Sequence, residues 1–155
     1  MLVRLVAVGR LRNAALREVC DAYATRIRRY QKFEIREVKD AGRRAADARA
    51  VRRLEADAVT SALAPETTLV ALTRGGTQLD SRAFAHQLKR WRYEARDVAF
   101  LIGGAWGLDD ALLARVHFRL SLSTLTLPHE VARLVLLEQI YRACTILKGE
   151  PYHKA

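Results

Sequence analysis

The chain reads as an α/β protein, a single-domain parallel sheet with helices on both faces. Three observations predict this. Short apolar runs alternate with stretches of helical periodicity, the pattern of strands joined by crossover helices. Two of the later runs lead into loops of contrasting chemistry, glycines in Phe100–Leu108 and hydroxyls in Ser121–His129. Half of the 155 residues are apolar, enough for one core of ordinary size. Open α/β sheets bind ligands beyond the carboxyl ends of their strands, so two such loops predict a concave floor of backbone groups there.

Leu2–Val8 is a short apolar strand closed by Gly9-Arg10, and Asn13 can cap the helix that follows. That helix runs from Ala14 to about Tyr30, because Leu16, Val19, Cys20, Tyr23 and Ile27 recur at three and four. Arg26, Arg28 and Arg29 gather in its last turn, where cations suit the helix dipole. Phe33–Val38 alternates like a half-buried strand, and Lys39 to Arg44 is a basic loop. Ala45 to about Leu63 is a second helix. Thr67–Leu72 is a buried strand ending at Thr73-Arg74-Gly75-Gly76. Asp80 or Ser81 caps a third helix through about Tyr93, and Val98–Ile102 is the fourth strand. Leu108 to about Val116 is a short helix, and Phe118–Leu122 a fifth strand. Pro128 suits the first position of a long last helix reaching about Leu147, which Gly149 ends and Pro151 keeps from resuming. No linker, repeat or low-complexity tract divides residues 1–155, so one domain is expected.

Several function classes fall away. The apolar runs are far too short for a membrane span, and the N-terminus reads as a strand rather than a signal peptide. Cys20 and Cys144 are expected to be buried thiols of a cytoplasmic protein, and four histidines with two distant cysteines give no metal-ligand spacing. No G-x-G-x-x-G follows the first strand and no phosphate-loop motif occurs, which lowers the odds of a nicotinamide enzyme or an NTPase. The formal net charge is +10, with surpluses of +7 in residues 1–60 and +3 in 61–155. Such a surplus points to a polyanionic partner, nucleic acid ahead of a merely basic surface.

Gly103, Gly104 and Gly107 allow a ligand to approach the backbone closely. Ser121, Ser123, Thr124 and Thr126 alternate with Leu122, Leu125 and Leu127, a ribbon suited to a flat ring with polar edges such as adenine. The same hydroxyls could instead serve their own backbone. His129 opens the last helix, where the positive helix end suits a neutral, base-competent imidazole. His86 and His117 read as structural.

With these residues in hand, the sequence resembles the ribosomal RNA large subunit methyltransferase H family of trefoil-knotted methyltransferases, essentially end to end. The resemblance is carried by Leu5–Gly9, Leu101-Ile-Gly-Gly104 with Gly107-Leu108, Ser121-Leu-Ser-Thr-Leu-Thr-Leu-Pro-His129, Glu138 through Arg142, and Pro151-Tyr-His153. It implies a C-terminal trefoil knot and a homodimer whose active site draws on both chains. It implies transfer of a methyl group from S-adenosyl-L-methionine to N3 of a pseudouridine in 23S rRNA, on the assembled ribosome. The methyl-donor site would comprise Leu72, Gly103, Gly104 and the run Ser123, Thr124, Leu125, Thr126, Leu127, Pro128. The catalytic or RNA-contact candidates are His129, Arg142, Tyr152 and His153, with Arg142 stabilising charge and His129 or His153 the base. Ala105-Trp106 depart from the Pro-Glu pair of some relatives. The basic residues Arg26, Arg28, Arg29, Arg43 and Arg44 are expected to grip rRNA phosphates. A tRNA methyltransferase of the same fold and a non-catalytic RNA-binding module are the competing expectations.

Overall fold

A computed structural model of the chain describes residues 1–42, 47–94 and 96–153, with the His153 side chain outside that set. Five strands form one parallel sheet in the order β2-β1-β4-β3-β5. They are β1 (Leu2–Val8), β2 (Lys32–Val38), β3 (Thr68–Gln78), β4 (Val98–Ile102) and β5 (Phe118–Ser121). The helices are α1 (Ala14–Arg28), α2 (Ala48–Ser61), α3 (Ser81–Tyr93), α4 (Asp110–Leu113) and α5 (His129–Lys148), followed by a single 3-10 turn, Pro151–His153.

β4 is apolar at every position, and β1 at all but Arg4, because both faces are covered. Val3, Leu5 and Ala7 of β1, with Val98, Phe100 and Ile102 of β4, meet α1, α3 and α5. The alternate residues Val6, Val8, Ala99 and Leu101 meet Val59 of α2 and Leu112 of α4. The period of two along each strand thus separates the core into two layers. Phe100 anchors the larger one, with the rings of Phe84 and Trp91 each about 6 Å from its own.

The helix starts follow their caps. The side chains of Asn13, Asp47, Asp80 and Asp109 each accept an N–H from the first turn. Pro128 is the N-cap of α5 rather than its first helical residue, so α5 starts one residue later than its sequence predicts. Gly149 ends α5 in the left-handed region at φ 72°. Two boundaries differ more. α2 begins at Ala48, and Arg43 and Arg44, expected in the basic loop before it, lie outside the described residues. β3 continues past Leu72 to Gln78, where a loop was expected. Leu120 pairs with both Leu72 and Thr77, so residues 73–76 bulge from the ladder. Gly76 permits this: a Cβ there would meet the backbone of Arg119 and Leu120 at 2.7 Å.

This topology positions the site. β5 is an edge strand beside β3, yet α5 packs against α1 and α3. The connection, residues 122–128, must therefore cross the carboxyl ends of the strands between them.

Candidate methyl-donor site

At that crossing lies a cavity of about 490 Å³. Leu72, Thr73 and Arg74 form one wall, Gly103, Gly104 and Gly107 the floor, and Leu122 to His129 most of the remainder. Of the residues expected here, Leu72, Gly103, Gly104, Ser123, Leu125, Thr126, Leu127 and Pro128 line the cavity, as does His129. Thr124 is exposed and is not part of the lining.

The floor has backbone proportions because nothing larger fits. The Gly107 N–H donates to the Gly104 carbonyl at 3.0 Å, and Gly107 takes φ 76°. A Cβ on Gly103 would meet the Gly107 backbone at 2.6 Å. Beneath Gly104 lies Glu55 of α2, 3% exposed. A Cβ on Gly104 would meet its Oε2 at 3.0 Å. Glu55 Oε1 accepts the Ala41 N–H at 3.2 Å, while Oε2 has no partner among the described residues. Burial pushes this carboxyl above the usual glutamate range, and the neighbouring Asp40 adds to the rise against the opposing Ala41 bond.

Three hydroxyls of the ribbon have partners within the fold. Ser121 Oγ donates to the Ser123 carbonyl at 3.0 Å, and Ser123 Oγ accepts the Leu125 N–H at 3.0 Å. Thr126 Oγ1 accepts from Arg74 at 3.3 Å. Ser121 and Ser123 thus brace the loop's own backbone and Thr126 ties it to β3, while Ser123 and Thr126 also line the cavity. Two cavity-lining residues instead carry buried polar atoms without partners among the described residues, Thr73 through Oγ1 and His129 through Nδ1. Thr73 went unmarked in the sequence; its signal was its place directly after Leu72 at the end of β3.

α5 is fixed at its first turn. Arg133, with no exposed surface, donates to the Gly9 carbonyl at 2.9 Å and to the Glu37 carboxylate. Glu130 accepts the Arg12 N–H at 2.5 Å, a bond that holds its carboxyl below the ordinary range. His129 is thereby held against β1 and the loop that follows it.

Arg142 and Tyr152 lie elsewhere. Thirteen residues of helix separate Arg142 from His129, about 20 Å along the axis. Arg142 donates through Nε and Nη2 to Glu138 Oε1 at 3.0 and 2.6 Å, and its guanidinium sits 4.9 Å from the Tyr152 ring. The Tyr152 hydroxyl donates to the same Glu138 oxygen at 3.1 Å, and its ring meets Tyr141 edge-on at 4.7 Å. Burial first, then the bonds to Tyr23 and Glu138, raise the Tyr152 phenol well above its ordinary value. Tyr152 is thus a phenol that donates rather than a phenolate base. His153 follows in the same turn. Arg26, one of the expected phosphate contacts, packs over the rings of Tyr23 and Tyr141 in this cluster. One chain therefore holds the cavity and the Arg142–Tyr152 cluster at opposite ends of α5.

Among the described residues no group of histidine, cysteine and acidic side chains could hold a metal ion, and no helix is long and apolar enough to cross a membrane. The family model described as "Predicted SPOUT methyltransferase" matches residues 1–153. A protein from an Anaeromyxobacter species named "Ribosomal RNA large subunit methyltransferase H" is 48% identical over 99% of this chain and 100% of its own length. One of the same name from Gemmatimonas aurantiaca is 46% identical over the same shares. A probable methyltransferase from Bordetella pertussis Tohama I has this fold at a TM-score of 0.56, with 21% identity over 92% of this chain and 95% of that one. A floor of backbone at a strand-end crossing, with the match along nearly the full length of both chains, places the protein among the methyltransferases: it belongs to the ribosomal RNA large subunit methyltransferase H family of SPOUT enzymes.

Proposed function

We propose that the protein methylates N3 of a pseudouridine in 23S rRNA, on the assembled ribosome in the cytoplasm, with S-adenosyl-L-methionine as donor. The carrying observation is the cavity where the glycine floor, the β3 bulge and the crossing segment converge. Its residues suit the donor. Thr73 Oγ1 and His129 Nδ1 offer two unpaired buried polar atoms, and the glycine floor leaves room for a ligand against main chain. Leu72, Gly103, Gly104, Ser123 and Leu125 to Pro128 would hold it, with Thr124 at the rim. The donor supplies a methyl group already activated on a sulfonium, so the protein's main task is orientation.

The acceptor nitrogen carries a proton and is a poor nucleophile until that proton leaves. A base and a cation that steadies the anionic ring are both needed. His129 in the cavity wall, or His153 of the tail, takes the proton. Arg142 steadies the ring, and Tyr152 donates to it or stacks upon it.

The two half-sites of one chain lie too far apart to act together. A homodimer in which the α5 end and tail of one copy reach the cavity of the other brings them into one centre. The exposed Leu125 and Trp106 beside the cavity support such coverage. We further infer that residues 122–128 and α5 are threaded through the preceding loops as a trefoil knot, which the crossing from edge strand to α1 favours.

Incubation of the protein with methyl-labelled donor and 70S ribosomes lacking the modification, followed by mass mapping, tests the reading. Label at N3 of one 23S pseudouridine is expected. Label in tRNA, or binding of S-adenosylhomocysteine without turnover on any RNA, would overturn it.

A further inference from the structure

A second cavity, of about 830 Å³, opens on the other side of His129. It lies between the β1–α1 loop and the end of β2, and His129 lines both cavities. Its charges are organised unevenly. Glu37 accepts from Arg133 and from the Leu11 N–H, Glu130 accepts the Arg12 N–H, and Asp40 accepts the Gly42 N–H at 2.7 Å. All three carboxylates are therefore engaged by donors of the fold. Arg17 is likewise engaged, donating to the Leu11 carbonyl. The side-chain cations of Arg10, Arg12 and Lys39 are exposed and pair with no described residue.

We infer that this cavity is a nucleic-acid site, in which phosphodiester groups of the substrate strand seat on Arg10, Arg12 and Lys39 and the target base is presented past His129 to the donor cavity. The inference rests on the proposed rRNA reading and names where that strand lies. Arg10, Arg12, Arg17 and Lys39 outnumber Glu37, Asp40 and Glu130 around the cavity, and Arg133 offsets Glu37 from behind, so the field is net positive and a polyanion neutralises it with release of its counterions. A neutral or cationic ligand would gain nothing from that arrangement. The shared wall adds direction, since a base crossing it comes within reach of both the imidazole and the glycine floor.

The test is a triple variant, Arg10→Ala/Arg12→Ala/Lys39→Ala, compared with Lys89→Ala/Arg90→Ala/Arg96→Ala, which removes the same charge around the far end of α3. Cosedimentation with 70S ribosomes is followed across a salt series. The cavity triple is expected to bind about tenfold or more weakly than the control, with a salt slope shallower by about 2 to 3. Its calorimetric affinity for S-adenosylhomocysteine is expected to match wild type, which verifies that the fold and donor cavity survive. Equal losses in the two triples would overturn the inference, because any basic surface would then serve. An unchanged ribosome slope with a shifted monomer–dimer equilibrium would also overturn it and make the cavity a subunit contact. Either result leaves the rRNA reading standing; that reading falls only if wild-type protein fails to label the ribosomes.

Discussion

At Gly103 a single β-carbon has nowhere to go, because the obstruction is backbone rather than a side chain that can turn aside. Gly103→Ala is expected to cost about 1–3 kcal/mol of stability and to abolish S-adenosylhomocysteine binding by calorimetry. Gly104→Ala meets the side chains of Glu55 and Val8 rather than backbone, at 3.0 and 3.1 Å, and is expected to be milder on both counts. Glu55 itself makes a pH prediction. Its carboxyl is raised in the folded protein, so the folded state holds the proton more tightly than the unfolded chain. Stability from this group is full below the ordinary glutamate range and is lost as pH rises through the elevated value. The melting temperature of Glu55→Gln relative to wild type should therefore climb across that window; parallel curves would remove the effect. At this scale the glycines were legible because their type restricts what can surround them. The hydroxyls were not, since Ser123 can serve a ligand or its own loop equally well until the loop's geometry is known.

Among the elements, α5 carries the greatest consequence. Its start is tied to the end of β1 and to β2 by Arg133, which bridges the Gly9 carbonyl and Glu37. Arg133→Ala is expected to lower stability by about 3 kcal/mol, the lower end for a broken buried pair because Glu37 keeps some contact with water. Chemical denaturation measures it. Replacing the pair with Arg133→Met/Glu37→Leu should recover much of that loss. Most elements were readable from period and capping: Asn13, Asp80 and Gly149 do what their residue types predict. The β3 bulge was not, because Thr73-Arg74-Gly75-Gly76 has the composition of a turn and only pairing with β5 continues the strand. Arg133 was hidden for a similar reason: an arginine in a helix reads as surface until a carboxylate from another strand is brought beside it.

For the whole molecule, the parallel sheet followed from the alternation of runs, and a site drawing on both chains from the resemblance alone; which residues a single chain keeps apart did not follow from either. Sequence similarity groups His129, Arg142 and Tyr152 in one active site, whereas the fold of a single chain holds them apart. Mixing two inactive proteins tests the composite centre. Gly103→Ala spoils the donor cavity and Arg142→Ala the distant cluster; a mixed dimer restores one intact centre out of two. Activity recovered on mixing is expected, and none on mixing would show that each chain works alone. A chain truncated after Gly149 should bind S-adenosylhomocysteine normally yet fail to label ribosomes, and normal turnover would remove the tail from the mechanism. The distance along α5 from His129 to Arg142 bears on the dimer as well. In the proposed dimer, α5 is a stiff rod with the donor wall at one tip and the Arg142–Tyr152 cluster at the other, and it spaces the two subunits' contributions to one centre. Lengthening it by seven residues would keep the helical facing nearly intact but push the tips about 10 Å farther apart, so in that dimer the rod's length matters separately from its residues.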